Sequence, residues 1–453
     1  MSHSPNSGKI LHSLIFSSIL IVGGLLFFIL PKDKISESER RTLSPLPQFT
    51  IASLRSGTLM DSLDLYYSDN FIFRNTLIST ANQIKENFGI KNEETRIYTK
   101  QSAPATKSIL NTPTSPKEKT ITLENSTDQN SSEEKDSDTP YENIKSVIVY
   151  KNRAIQIFGG LNSVLRNYAG MVSRYKKELG PTVNVYCMAV PVGSDFFLPS
   201  SFNHSREKNS INYLYSQLDP SVKGVQAYEE LEKHQQEYIQ FNTDHHWTGR
   251  AAYYAYTAFC KSAGFNYLPM NKLNRKVIHN FVGTLYYYTL SEALKKNKDS
   301  VEYFKIPNKT NAFYFPEGMT KARPTTLYAE RARGGNSYGV FLGADFPLMR
   351  ITSDVKNGRK ILQIKDSYGN AFAPFLPSLY EEVFVVDYRY FNGSIKELVK
   401  KYGITDVVFS HNIFVINSSF TAKRESSMLN GTQSSSSSKN KVKPDTTKNK
   451  TTK

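Results

Sequence analysis

Cysteine is nearly absent: Cys187 and Cys260 are the only two in 453 residues, and no Cys-x-x-Cys pair exists. A redox or zinc centre built on paired thiols is therefore excluded. Both cysteines sit in apolar surroundings, one in a strand and one on a helix face, which predicts two buried free thiols. Scarce cysteine says little about compartment. Tryptophan is scarcer still, a single Trp247. Zinc-finger spacing and the aromatic motif of RNA-binding sheets are also missing. That matters because the formal charge is +16, a value that on its own suggests nucleic acid. The placement of the charge argues otherwise. From Lys423 to Lys453 the basic residues outnumber the acidic ones by six, in a Ser/Thr/Asn/Lys tract. The remaining excess is spread along the chain. A solvated or surface-binding tail is the expectation, with no nucleic-acid partner.

The hydrophobic fraction of 39% is lowish, because two polar stretches dilute it, yet 28 Tyr and 27 Phe supply a large core. Ile10 to Leu30 is uncharged and mostly apolar, and about 20 such residues in a helix cross a bilayer. Lys9 precedes it and Lys32 and Lys34 follow, so the charge bias across it is weak. The very short N-terminus favours an N-in, C-out signal anchor. A run longer than a signal-peptide h-region, with no clear A-x-A site after it, predicts an uncleaved one, with the bulk of the chain exported either way. Residues 1–34 are thus read as cytoplasmic N-terminus plus anchor. The apolar period from Ser62 to Phe88 predicts a helix, within an N-terminal helical part at 60–100. Residues 101–140 are rich in Ser, Thr, Pro, Lys, Glu and Asn. They cannot bury enough surface to offset ordering entropy and predict a disordered insert. Residues 420–453 are read as a disordered basic tail.

Between them, 141–415 reads as the catalytic candidate domain. Apolar strands at Val147–Tyr150, Thr182–Val190, Lys360–Ile364, Val383–Asp387 and Asp406–Ser410 alternate with helical stretches. That pattern predicts an α/β fold with a central, mainly parallel sheet covered on both faces. In such sheets reactive groups gather at the carboxyl ends of strands, where Asp244, His246, Ser367, Asp387 and Arg389 fall.

The densest chemistry lies in Thr243-Asp244-His245-His246-Trp247-Thr248, just before the apolar helical run Ala251–Cys260. Residues i and i+2 of an extended segment share a face, so one loop can present Asp244 and His246 together. The carboxylate would orient the imidazole, and His245 would point the other way, into packing. The alternative is a plain helix start, with Thr243 or Asp244 as cap. Far along the chain, strand Ile361–Ile364 breaks into Lys365-Asp366-Ser367-Tyr368-Gly369-Asn370. Ser367 there is placed to expose its hydroxyl, and the amides of Ser367 and Tyr368 or Gly369 could bind an oxyanion. The same local sequence also suits an ordinary N-cap serine. Metal binding is not expected: adjacent histidines rarely chelate one ion, helical ligand pairs prefer i,i+3 or i,i+4 spacing, and no upstream aspartate cluster is visible.

Taken together, Ser68–Arg74, Ala189–Pro191, Thr243–Thr248, Phe341–Gly343, Lys365–Asn370 with Pro374–Leu376, and Val386–Phe391 carry a family resemblance. The chain resembles the bacterial DHHW protein family, named for the string at 244–247, over most of residues 60–412. That family is similar to SGNH-hydrolase-like proteins near the alginate O-acetyltransferases. The resemblance implies a permuted SGNH-like three-layer fold and a triad of Asp244, His246 and Ser367. It also implies export with a single-pass anchor in the cell membrane and an extracellular catalytic domain. Tyr368, Gly369, Asn370 and Gly343 are the oxyanion candidates; His245, Trp247, Tyr368 and Arg389 are the substrate-binding candidates. The activity it implies is transfer of acetyl to hydroxyls of a cell-surface polysaccharide. No cofactor is bound directly, and because acetyl-CoA is cytoplasmic a multipass membrane acyltransferase would relay the acetyl group outward. Two other readings stay open: the same triad run as an esterase, or a non-catalytic cell-envelope assembly protein.

Overall fold

The computed structural model describes residues 6–30, most of 44–71, the strand at 95–99, and 146–431 apart from 200–201, 203–205 and 317–320, with scattered positions elsewhere before residue 95. The predicted insert at 101–140 and the chain beyond 431 lie outside the described residues.

Helix α1 (Asn6–Ile29) holds the apolar run. Among the described residues it is the one helix long and apolar enough to cross a membrane, as an anchor or a signal sequence would be. Two short helices follow, α2 (Ile51–Ser56) and α3 (Thr58–Asp69). The helix expected to begin at Ser62 thus starts earlier and stops at Asp69, where Asn70 turns its side-chain amide back onto the Tyr66 carbonyl. Most of 72–88 lies outside the described residues.

The part expected to be helical up to residue 100 instead ends in strand β1 (Thr95–Thr99). It pairs antiparallel with β2 (Ser146–Tyr150), which pairs with β3 (Arg153–Gln156). The register of β1 on β2 sets Ile97 opposite Ile148 and Thr95 opposite Tyr150.

The main domain then alternates as the sequence predicts. Helix α4 (Asn162–Leu179) buries Leu165, Tyr168, Ala169, Val172 and Tyr175, a 3.6-residue stripe. Strand β4 (Asn184–Val190) is buried at every position but its first, as a strand covered on both faces must be. Helix α5 (Arg206–Ser216), strand β5 (Val222–Gly224) and helices α6 (Ala227–Lys233) and α7 (Gly249–Ala263) come next. Thr248 caps α7, its hydroxyl accepting the Ala251 amide at 3.2 Å, so the helix begins after the Asp-His-His-Trp string and not within it. The tyrosine-rich middle forms β6 (Asn274–Phe281), α8 (Thr284–Thr289), β7 (Asp299–Lys305), β8 (Thr310–Phe315) and β9 (Arg323–Thr325). Then follow β10 (Leu348–Ser353), β11 (Lys360–Lys365), α9 (Gly369–Phe372), β12 (Glu382–Asp387), α10 (Ile395–Tyr402), β13 (Asp406–Asn412) and α11 (Ser419–Asn430).

Eight strands make one sheet in the order β9-β8-β10-β12-β11-β13-β4-β5. From β12 to β5 all pairings are parallel; β8, β9 and β10 extend the edge antiparallel. The register Phe409↔Cys187 puts Phe409 and Tyr186 on opposite faces. Phe409 meets Tyr175 of α4, and Tyr186 meets Phe259 of α7. Helices therefore cover both sides: the three-layer α/β fold. Cys187 on β4 and Cys260 on α7 are free and buried.

Helix α11 corrects the expected boundary. Residues 419–430 are folded, not tail. Its apolar residues are few, and polar groups fasten it: Arg424 donates to the carbonyls of Tyr388 (3.0 Å) and Phe391 (2.6 Å), and Glu425 is fully buried.

Candidate active site

Strand β11 lies inside the parallel set, between β12 and β13, and Ser367 comes two residues after its carboxyl end. The Asp244–Thr248 loop reaches the same edge from the α7 side. His246 Nε2 stands 2.8 Å from Ser367 Oγ, and His246 Nδ1 stands 2.6 Å from Asp244 Oδ1. With Nδ1–H donating to the carboxylate, Nε2 is left to accept the serine proton. Asp244 and His246 are buried while Ser367 is half-buried, so the line opens to solvent at the hydroxyl end.

The carboxylate is held by groups that sequence reading missed. The Thr284 amide (2.8 Å) and hydroxyl (3.1 Å) donate to Asp244 Oδ2, and the His246 amide donates to Oδ1 at 3.0 Å. Gly283 must be glycine for this approach, since a Cβ there would sit 2.1 Å from the Asp244 Cβ. One step back, Asp299 of β7 accepts the Asn242 amide (2.8 Å), the Thr243 amide (2.7 Å) and the Thr243 hydroxyl (2.6 Å). Burial pushes the Asp299 carboxyl up from its ordinary value, although these bonds pull it down. Tyr338 lies flat on the His246 ring, centroids 3.9 Å apart at 12°, and its hydroxyl donates to the Ser367 carbonyl at 3.0 Å. None of Thr284, Asp299 and Tyr338 belongs to a local pattern. Gly283-Thr284 at the end of β6 was the nearest thing to a signal.

The two motif segments are stitched together. The Trp247 indole donates to the Tyr368 carbonyl at 3.0 Å, and the Tyr368 hydroxyl donates to the His245 carbonyl. Both rings are 1% exposed. This corrects the expectation that Trp247 and Tyr368 side chains meet substrate: they hold the site shut from beneath. His245 does not turn away from His246 either. Their rings lie 3.8 Å apart, and His245 Nδ1 is 2.6 Å from the Thr284 hydroxyl. At 13% side-chain exposure, His245 keeps an edge toward solvent.

The oxyanion candidates sort differently than expected. The Tyr368 amide donates to Asp366 Oδ1 (2.7 Å), the Gly369 amide to the Asp366 carbonyl (3.1 Å) and the Gly343 amide to the Gly339 carbonyl (3.1 Å). Asn370 sends its side-chain amide to Asp345 at 2.8 Å. These donors are committed within the fold. Among the described residues the Ser367 amide makes no such bond, which leaves it for a ligand. Gly369 serves by size: a Cβ would meet Lys365 Cβ at 2.4 Å and Gln363 Nε2 at 2.6 Å, so only glycine lets the turn fold onto β11.

Arg389 is likewise internal. It donates to both Asp387 oxygens (2.9 and 2.8 Å) and pairs with Asp345 at 2.9 Å. Lys365 joins the same two carboxylates at 2.6 and 3.1 Å. Burial lowers the Lys365 ammonium's pKa, but Asp345 and Asp387 more than restore it, so it stays charged. Two cations and two anions balance under the nucleophile turn, and Arg389, 13% exposed on its side chain, is held by these carboxylates.

A second imidazole sits behind that turn. Asp366 Oδ2 accepts the Asn412 amide (2.8 Å) and side chain (3.0 Å). His411 Nδ1 approaches Asp366 Oδ2 at 3.7 Å, while His411 Nε2 lies 2.7 Å from Glu425 Oε1 of α11. That close contact lacks hydrogen-bond alignment, so its attraction is chiefly coulombic. Burial alone would lower the His411 pKa; Glu425 and Asp366 override it and push it up to about 9.

Asp244, His245 and His246 offer ligand atoms within 4.8 Å of one another, a spacing that could hold an ion. Asp244 Oδ1 and His246 Nδ1 are, however, turned onto each other at 2.6 Å. A cation on His246 would have to displace either that bond, at Nδ1, or the serine contact, at Nε2, so the donor set suits proton transfer better than metal.

The family model of the DHHW protein matches residues 114–386. A crystal structure of a DHHW family protein from Eubacterium siraeum is 32% identical, covering 63% of this chain and 96% of its own, with a TM-score of 0.59. PatB1 of Bacillus cereus, with and without a sulfonyl adduct, is 17% identical. It covers 61% of this chain and 97% or 98% of its own, with TM-scores of 0.52 and 0.51. At that identity the likeness is one of fold alone. No curated protein matches the chain. With more than half of its length matched by one family model, and a solved member aligned over nearly its entire length, the chain belongs to the DHHW protein family.

Proposed function

We propose that this protein is an exported, membrane-anchored O-acyltransferase, which moves acetyl onto hydroxyls of a cell-surface polysaccharide. The observation that carries the reading is the unbroken line from Asp244 through His246 to the half-exposed Ser367 hydroxyl. Ser367 Oγ attacks the acyl carbonyl and its proton passes to His246 Nε2. The carbonyl oxygen gains negative charge facing the Ser367 amide. Collapse expels the donor's alcohol, which takes the proton from His246, and leaves an acyl-serine. A sugar hydroxyl then attacks, again giving its proton to His246, and Ser367 is released. Asp244 holds the tautomer and stabilises the imidazolium throughout. A multipass membrane protein that carries the acyl group outward completes the scheme, with α1 keeping the chain beside it.

The test is incubation with p-nitrophenyl acetate or a sulfonyl fluoride, followed by mass mapping. PatB1 is known with a sulfonyl adduct, which recommends that reagent class. The expected result is a single adduct on Ser367, absent from Ser367→Ala. An unmodified Ser367 with wild-type fold intact would overturn the reading in favour of an assembly role. Adding oligosaccharide acceptors to the acyl-enzyme separates transfer from hydrolysis: transfer predicts acetylated sugar at the expense of free acetate.

A further inference from the structure

The stretch between α1 and the main domain carries large apolar residues that face outward. Ile51 and Leu54 of α2 are three apart, and Met60, Leu63, Tyr67 and Phe71 run on at helical spacing along α3 and past its end. All six, together with Leu46 and Phe49 before them, lie between 36% and 69% exposed. Scattered exposed apolar residues are ordinary, but exposed apolar residues at helical spacing on two consecutive helices are not.

The stripe joins α1. Among the described side chains of α1, Phe27 is the one that is buried, 8% accessible. Its ring lies 5.2 Å from that of Tyr67 and 6.0 Å from that of Tyr66, and Tyr67 continues to Phe71 at 5.4 Å. Lys32 sits 3.7 Å over the Phe27 ring and donates to the Asn70 carbonyl at 3.2 Å. The end of α3 is tied in turn to the chain before it: Asp69 accepts the Ser44 amide (2.9 Å) and hydroxyl (2.8 Å), and Asn70 donates to the Ser44 carbonyl (3.1 Å). The end of α1, the 44–50 segment and α3 therefore form one fastened unit. The apolar part of α1 stops at Ile29, so the stripe meets α1 at the level where that helix leaves hydrocarbon. Tyrosines and a lysine at that level match the residue types that favour the headgroup boundary.

We propose that α2 and α3 lie along the membrane surface, their Ile51–Phe71 stripe sunk into the boundary between headgroups and acyl chains, as a collar around the outer end of α1. The occupant of this apolar face is the lipid bilayer. The proposal rests on the reading of α1 as a span and goes beyond it, since it gives the exported domain a second, lateral grip.

Trp247 makes the test simple, being the only tryptophan and 1% exposed. The full chain is reconstituted in phosphatidylcholine vesicles with brominated acyl chains, and one tryptophan is added at a time: Val22→Trp in α1, Met60→Trp, Leu63→Trp and Phe71→Trp in the stripe, and Tyr267→Trp on the main domain. The added emission is compared with that in unbrominated vesicles. Severalfold quenching at 22, 60, 63 and 71 and none at 267 is expected. Quenching at 22 with 60, 63 and 71 behaving like 267 would overturn the collar while leaving the span. No quenching at 22 would overturn both. Quenching at 60, 63 and 71 that fades as the protein-to-lipid ratio rises would name a second copy of the chain as occupant and overturn the lipid assignment.

Discussion

Two buried carboxylate–imidazole pairs flank the turn at 366–369, one on each side. In front, Asp244 and His246 are joined at 2.6 Å; behind, Glu425 and His411 approach at 2.7 Å. The chemistry of the partners is nearly the same, yet their surroundings give them different uses. His246 ends on a hydroxyl that reaches solvent, so a proton taken from it can go on to a substrate. His411 ends on Asp366, which is itself 1% exposed and bound to the Tyr368 and Asn412 amides. His411, Glu425 and Asp366 are all buried. The rear imidazole holds charge in place, and the front one moves it. An imidazole's role is set by what its second nitrogen faces and whether that group is wet.

Removing each imidazole breaks the comparison most directly. His246→Ala should lower ester turnover per folded molecule by about 10⁴-fold or more, as loss of a triad base does, alongside a lesser loss of stability from the cavity it opens and the donor it takes from the buried Asp244 carboxylate. Asp244→Asn should come close, on the order of 10⁴-fold, because the tautomer is lost. His411→Gln should do the reverse. It leaves Glu425 and Asp366 buried without their cation, a loss of about 3–5 kcal/mol in denaturant unfolding, while turnover per folded molecule stays within about tenfold of wild type. Equal losses of turnover from both variants would erase the distinction.

How much of this was legible beforehand follows the same division. Spacing made the front pair a candidate, because Asp244 and His246 are two apart in one stretch and Ser367 follows an apolar strand of a predicted parallel sheet, and the family resemblance joined the three as a triad. The rear pair could not be read this way. His411 looks like the end of a strand, and Glu425 sits in a stretch whose Ser, Lys and Arg content resembles the tail beyond it. Helix α11 has only Ala422, Met428 and Leu429 to bury as apolar side chains, too few for a periodic signal. It is held by Arg424 and Glu425, whose partners lie elsewhere in the chain. The same holds for Thr284 and Tyr338 around the front pair. Arg389, Trp247 and Tyr368 were legible as important but assigned to substrate, because residue type does not tell whether a polar tip points inward.

A pH titration sharpens the contrast without any mutation. The folded pKa of His411 is about 9, against an ordinary value of 6.5. Between those values the folded state binds a proton that the unfolded state has released. The stabilisation is complete below about pH 6.5 and is lost as pH rises through 9, a span on the order of 3 kcal/mol. Melting temperature should therefore fall steadily from pH 7 to 9, and the fall should flatten in His411→Gln. Glu207, raised by burial to about 7, also loses its contribution as pH climbs, but most of that occurs below the window. The Cys187 and Cys260 thiols are pushed up by burial as well, Cys260 to about 12, so readings should stop near pH 9. An unchanged slope in His411→Gln would mean that the rear imidazole is neutral in the folded protein.

The smallest effect is expected at Trp247, which fastens the front loop to the turn as Asn412 fastens the rear strand. Its indole gives one hydrogen bond to the Tyr368 carbonyl, at 3.0 Å, whereas the Asn412 side chain gives one to the Asp366 carboxylate and accepts the Phe414 and Val415 amides. Bonds to a charged acceptor are worth more than neutral ones. Trp247→Phe keeps an aromatic ring in the core and removes the donor, so it should cost about 1–2 kcal/mol and reduce turnover by about threefold or less. Asn412→Leu should cost more, about 2–4 kcal/mol, since Asp366 then keeps a buried charge with fewer donors. Urea midpoints of the two variants, measured beside their turnover, decide the order. If Trp247→Phe proves the more damaging to turnover, the rigidity of the turn comes from the front loop, and the rear network would be dispensable for positioning Ser367.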